Sequence, residues 1–183
     1  MNNPFANPWR TLSSRPVYSN SWIGVREDQV LRPDGQPGIY GVVSMKNTAI
    51  GILPVHEDGS VTLVGQFRYT VDGYSWEIPE GGCPAGEAPL EAARRELREE
   101  TGLAASTWKP LGRVHLSNSI CDEEGFLFVA TGLDQFEPTP EATEDLQIRR
   151  VSWDEALRMA RQGEITDGLS LIALFRYALE LQG

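Results

Sequence analysis

The stretch Gly81–Leu103, GGCPAGEAPLEAARRELREETGL, decides how the rest of the chain is read. From Pro89 its periodicity is helical: Leu90, Ala93 and Leu97 recur at spacings of three and four and form one apolar stripe. Pro89 suits the first helical position, and Glu87 and Glu91 complement the positive N-terminal end. Gly102 is placed to stop the helix in the left-handed conformation that other residues avoid. Glu96, Glu99 and Glu100 fall beside the apolar stripe, pointing along the surface into a groove. Glu96 and Glu100 are four apart and repel by a few tenths of a kcal/mol unless a cation sits between them; Arg95 and Glu99, also four apart, can pair. Upstream, Gly81, Gly82 and Gly86 with Pro84 read as a compact loop whose backbone can approach a ligand closely.

Composition places this segment in an ordinary folded protein. The chain has 183 residues, 40% hydrophobic and 23% charged, enough to bury a good core. No apolar run approaches the ~20 residues of a membrane span, and residues 1–14 are polar and proline-containing, unlike a secretory leader. Cys83 and Cys121 make no disulfide framework, and Cys83 reads as an incidental small residue, so a reduced cytoplasm is the expected setting. The net charge of −10 argues against nucleic acid as a partner. It also means that a phosphate-bearing substrate needs an intervening cation, for which the glutamate cluster suits Mg²⁺, with Mn²⁺ as an alternative. No Cys/His spacing suggests zinc.

Along the chain, residues 22–30 and 38–45 read as strands joined at Pro33-Asp34-Gly35, and residues 49–55 and 61–69 as a second hairpin through Glu57-Asp58-Gly59. Residues 74–78 lead into the glycine-rich loop, and 112–116, 125–130 and 147–151 read as later strands. Ser152 and Glu155 form a capping-box pattern for a helix ending near Gly163, and residues 169–181 form a last helix. Residues 134–144, DQFEPTPEATE, read as a Pro- and Glu-rich loop.

The segment 81–103 resembles the box of the Nudix hydrolases, G-x5-E-x7-R-E-U-x-E-E-x-G-U with U aliphatic. Gly81, Glu87, Arg95, Glu96, Leu97, Glu99, Glu100, Gly102 and Leu103 match it without departure. Gln66-Phe67-Arg68, Trp76-Glu77-Ile78-Pro79 and Asp122-Glu123 are similar to flanking motifs of the ADP-ribose and nucleoside diphosphate sugar pyrophosphatase branch. The resemblance implies an α/β fold: an α/β/α sandwich with a mixed sheet over residues 49–183, plus a small N-terminal β-sheet domain over residues 1–48 that packs across a homodimer. One departure stands out. Residues 116–119 read Leu-Ser-Asn-Ser, where that branch often carries Ser-Pro-Gly, which widens the expected substrate range beyond ADP-ribose.

The implied activity is metal-dependent hydrolysis of the diphosphate linkage of ADP-ribose or related nucleoside diphosphate sugars. Two alternatives are a Nudix hydrolase for a dinucleoside polyphosphate or capped RNA end, and a sensor that binds a nucleotide sugar without cleaving it. Implied principal metal ligands are Glu96 and Glu100, with Glu99, oriented by Arg95, as a further ligand or water-orienting group, and the backbone carbonyl of Glu80 as another ligand. A general base is expected from the acidic loop, Glu144 first and Glu141 second, with Glu99 as the candidate inside the box. Arg68 is the expected phosphate contact, while Trp22 and Tyr40 are candidates to stack on the nucleobase, with sheet packing as their other reading. Trp76 reads as core.

Overall fold

The computed structural model describes residues 5–138 and 145–182. The chain divides into two compact units, Met1–Asn47 with Ser117–Glu123, and Thr48–Leu116 with Glu124–Gly183.

The N-terminal unit is an antiparallel sheet in the order β1 (Arg10–Ser19), β2 (Ile23–Leu31), β3 (Pro37–Met45). Gly35, at φ 78°, makes the β2–β3 turn, where Asp34 Oδ1 accepts from the Gln36 amide at 3.0 Å. Strand β1 has no counterpart in the sequence reading, because RTLSSRPVYS is exposed throughout and lacks an alternating apolar face. It is an edge strand, which is where Pro16 can be accommodated. Trp22 lies just before β2 instead of inside it. Residues 117–123 join this unit through Val43, whose amide donates to the Ile120 carbonyl at 2.9 Å, and through Asp122, whose Oδ1 accepts from the Met45 amide at 2.9 Å.

The larger unit carries two sheets. One is mixed, in the order β7 (Glu80–Cys83), β4 (Thr48–Pro54), β9 (Glu124–Gln135), β8 (Leu103–His115), with β4 and β9 parallel. The other is antiparallel, in the order β10 (Gln147–Val151), β5 (Val61–Arg68), β6 (Gly73–Glu77). Three helices follow the chain order as α1 (Pro89–Thr101), α2 (Trp153–Gln162) and α3 (Gly168–Glu180).

The two-residue period of the central strands divides the core. Ile50, Ile52, Phe128 and Ala130 pack with Ala92, Ala93 and Leu97 of α1, while Leu53, Leu127 and Val129 pack with Leu169, Ala173 and Leu174 of α3. Helices therefore cover both faces of the mixed sheet, which is the expected α/β/α sandwich. Ser152 Oγ caps α2 by accepting from the Glu155 amide at 3.2 Å, and Asp167 Oδ2 caps α3 by accepting from the Ser170 amide at 2.7 Å.

Several expectations are corrected. Residues 49–55 and 61–69 do not form a hairpin: β4 and β5 lie in different sheets, and among the described residues their pairing is a single bridge, Val55 with Val61. β4 is buried nearly along its length and takes the central place between β7 and β9, so it has no free edge for β5. Tyr69–Val71 is a 3₁₀ turn. β8 and β9 run well beyond residues 112–116 and 125–130, because their exposed outer ends pair with each other without an apolar pattern. Gly81 and Gly82 belong to strand β7, not to a loop, and Leu90 is half-buried while Ala92 is fully buried.

Candidate active site

Helix α1 forms as its sequence signals require. Pro89 occupies the first turn after Ala88, and Gly102, at φ 72°, ends the helix with its amide donating to the Arg98 carbonyl at 3.0 Å. Its Ala92/Ala93/Leu97 face is buried on β4, which sets its charged flank against β7. The contact leaves no room for a side chain at residue 81: a Cβ there would overlap the Glu96 carboxylate. Glu96 is 8% exposed and Glu100 2% exposed, and Glu100 Oε2 accepts from the Glu80 amide at 3.0 Å. The helix carboxylates thus grip β7 at the residue before the first box glycine.

Arg95 organises this flank. It donates to Glu96 Oε1 at 2.7 Å, to Glu99 Oε2 at 3.1 Å, to the Gly82 carbonyl at 2.8 Å and to both oxygens of Glu87 at 3.0 and 3.3 Å. The Arg95–Glu99 ion pair is the one its four-residue spacing suggests. Glu87 has a second use beyond the helix end: its hydrogen bonds from Arg95 hold its carboxyl below the usual carboxylate range. Arg95 in turn is driven further toward its charged form, first by Glu87.

Beside this cluster lies a second one. Arg68, at the end of β5, donates from Nε to Glu77 at 2.9 and 3.1 Å, and from Nη2 to Glu77 and, at 2.6 Å, to Glu80 Oε1. Burial pushes the Glu80 carboxyl well above the usual range; the Asp167 and Glu77 charges add to this and Arg68 opposes it. Sequence patterns gave little warning of this network: Glu77 and Glu80 are far from Arg68 in number, and Asp167 shows locally only as a helix cap.

The donors fit a hard divalent cation. Glu96, Glu99, Glu100 and the Glu80 carbonyl offer oxygen ligands, and the partly buried carboxylates outnumber the two arginines that face them. As they are placed, Glu96 is turned to Arg95 and Glu100 to the Glu80 amide, and among the described residues no three acidic, histidine or cysteine side chains form a ready-made cage. Cys83 is buried against the Glu87 carbonyl, and burial pushes its thiol up, so it is not an activated nucleophile.

Trp22 and Tyr40 belong to the N-terminal unit. Trp22 is 71% exposed, whereas Tyr40 donates to the Ser119 carbonyl at 2.6 Å and meets Trp9 edge-on at 5.3 Å. Glu141 and Glu144 lie outside the described residues. Trp76 is partly buried against the core and meets Tyr74 edge-on at 5.6 Å. Among the described residues no helix is long and apolar enough to cross a membrane.

Known proteins match this architecture at both ends of the chain. Residues 45–169 match the NUDIX domain model, and residues 9–43 match the nucleoside diphosphate sugar hydrolase N-terminal domain. The ADP-ribose pyrophosphatase of Mycobacterium tuberculosis is 33% identical over 171 residues, covering 89% of this chain and 80% of that protein. The ADP-ribose pyrophosphatase of Bacillus subtilis is 28% identical over 167 residues, covering 90% of each. A crystal structure of an ADP compounds hydrolase superposes with a TM-score of 0.86 at 21% identity, covering 99% of this chain and 98% of that one, and so shares the fold. With the box complete, its helix packed on the glycine strand and the domain model spanning most of its length, the chain belongs to the Nudix hydrolase family.

Proposed function

We propose that the protein hydrolyses the diphosphate linkage of ADP-ribose or a related nucleoside diphosphate sugar, giving a nucleoside monophosphate and a sugar phosphate. The observation that carries this reading is the grip of α1 on β7, where Glu96, Glu99, Glu100 and the Glu80 backbone are gathered and ordered by Arg95. Two relatives named as ADP-ribose pyrophosphatases and the matching N-terminal domain model support the substrate class.

Nudix hydrolases need a divalent cation, and Mg²⁺ is the ion that suits these oxygen donors. When bound, it would neutralise the diphosphate charge and acidify a water so that, once deprotonated, that water can attack phosphorus. Glu96, Glu100, Glu99 and the Glu80 carbonyl would hold it. Arg95 fixes the orientation of Glu96 and Glu99. Arg68 contacts the substrate phosphates, and Glu144 in the acidic segment takes the proton of the attacking water, with Glu141 next in line. Trp22 and Tyr40 stack on the base. The sequence Leu116-Ser117-Asn118-Ser119 favours a range of nucleotide sugars over ADP-ribose alone.

The protein works as a cytoplasmic homodimer in which the N-terminal sheet, residues 1–48, joins two copies. The fully exposed edge strand β1 and the exposed Val17, Trp22 and Ile39 support that pairing. The test is to incubate the purified protein with a panel of nucleotide sugars and Mg²⁺ and identify products by mass, with light scattering for the oligomeric state. Cleavage that stops with excess chelator and returns with Mg²⁺ is expected. Binding of a nucleotide sugar without cleavage would turn the reading to a sensor.

A further inference from the structure

Arg68 serves two carboxylates at once, and they are not equally satisfied. On the β5–β6 pair, Arg68 lies opposite Gly73, and Glu77 falls on the same face at two-residue spacings. Glu77 is 3% exposed on its side chain and takes Nε through both oxygens as well as Nη2. Glu80 reaches over from β7 and takes the remaining Nη2 direction with Oε1 at 2.6 Å. Its side chain is 12% exposed, yet Oε2 is buried and has no hydrogen-bond partner among the described residues. Glu80 is therefore a weakly held occupant, with one strong bond and one dry oxygen. Arg68 itself is 36% exposed, so part of its side chain meets solvent.

We infer that the Glu80 carboxyl group is an internal stand-in for a substrate phosphate: its oxygen holds the Nη2 donor of Arg68 in the free protein and is displaced from it by a diphosphate oxygen. The inference rests on the proposed phosphate contact of Arg68 and deepens it. Glu77 keeps the guanidinium in place during the exchange, since two of its bonds run through Nε, which Glu80 does not touch. The consequence is that Glu80 lowers the affinity for anionic ligands without touching them. The backbone of residue 80, bonded to Glu100, is a separate feature that side-chain substitutions leave in place.

The experiment is calorimetric binding of the non-hydrolysable α,β-methylene analogue of ADP-ribose, in Mg²⁺, to the wild type, Glu80→Gln, Glu80→Ala, Arg68→Ala and the Arg68→Ala/Glu80→Gln double variant. Thermal unfolding of each establishes that it is folded. Glu80→Ala should bind about tenfold tighter, the scale of removing one competing charge-assisted hydrogen bond, and Glu80→Gln, whose amide oxygen still accepts from Arg68, should gain less. That gain should vanish in the Arg68→Ala background. Equal or weaker binding by both folded Glu80 variants overturns the inference. A gain that persists without Arg68 also overturns it, because the effect is then general charge removal. If the wild type neither cleaves ADP-ribose nor binds the analogue, the substrate reading falls first and takes this one with it.

Discussion

Gly81→Ala adds one methyl group where α1 leaves no space. Residue 81 lies in strand β7 and is absent from the positive-φ glycines, so alanine meets no backbone strain there. The obstacle is the Glu96 carboxylate, whose carbon and both oxygens overlap the Cβ position. Ordinary contacts between non-bonded carbons are about 3.5–4.0 Å, so the carboxylate must withdraw by more than ~1 Å. Withdrawal breaks or stretches the 2.7 Å bond from Arg95, which also orders Glu99. Overpacking of this kind costs about 1–3 kcal/mol, and each kcal/mol lowers the melting temperature by about 2–4 °C at this size. Because the obstructing group is the end of a flexible side chain, the fold should survive. Function should not: a displacement of ~1 Å in a reacting geometry costs about 10²-fold in turnover. Steady-state hydrolysis of ADP-ribose in Mg²⁺, Mn²⁺ affinity and thermal unfolding together test this. Wild-type turnover and wild-type Mn²⁺ affinity in a folded Gly81→Ala protein would refute the claim that Glu96 works from its observed place.

Three further outcomes are expected. Glu77→Gln should cost about 2 kcal/mol in denaturant unfolding, less than the 3–5 of a fully buried pair because Arg68 keeps solvent contact and Glu80, and it should raise KM more than it lowers kcat; a loss under ~0.5 kcal/mol with KM unchanged would show that Arg68 does not depend on it. Glu144→Gln should reduce turnover by about 10²- to 10⁴-fold with the analogue still bound, and full activity there together with loss in Glu141→Gln would move the base to Glu141. His56 is held below its usual value by burial, with the Arg150 charge adding to this and Asp58 opposing it, and its ring bonds to Thr62 at 2.8 Å. The fold therefore prefers the neutral ring: its contribution is complete above the unfolded value of about 6.5 and is lost as pH falls through the lowered folded value. Melting curves from about pH 7.5 to 5 should show wild type losing stability relative to His56→Gln, and parallel curves would remove His56 from the acid sensitivity.

Local spacing in residues 81–103 was sufficient for the helix, its glycine stop, the Arg95–Glu99 pair and the family, because a helix brings residues three and four apart together whatever surrounds it. The continuous apolar runs at residues 50–53 and 127–130 likewise read as strands, and both are buried on two faces. Sheet membership was not local. Residues 49–55 and 61–69 look like hairpin arms joined by a good turn, yet pairing partners are chosen by which edges remain open, and β9 and β7 claim both edges of β4. Strand β1 is held by its ladder to β2 and not by an apolar face, so composition could not reveal it. The need for glycine at residue 81 reads from sequence as loop freedom, but the physical reason is the Glu96 carboxylate lying over it. The Arg68–Glu77–Glu80 network and the repulsion from Asp167 join three strands and a helix cap across long chain separations. Only the tertiary packing could put those charges within reach of one another, since electrostatic energy depends on distance in space and burial, neither of which chain order records.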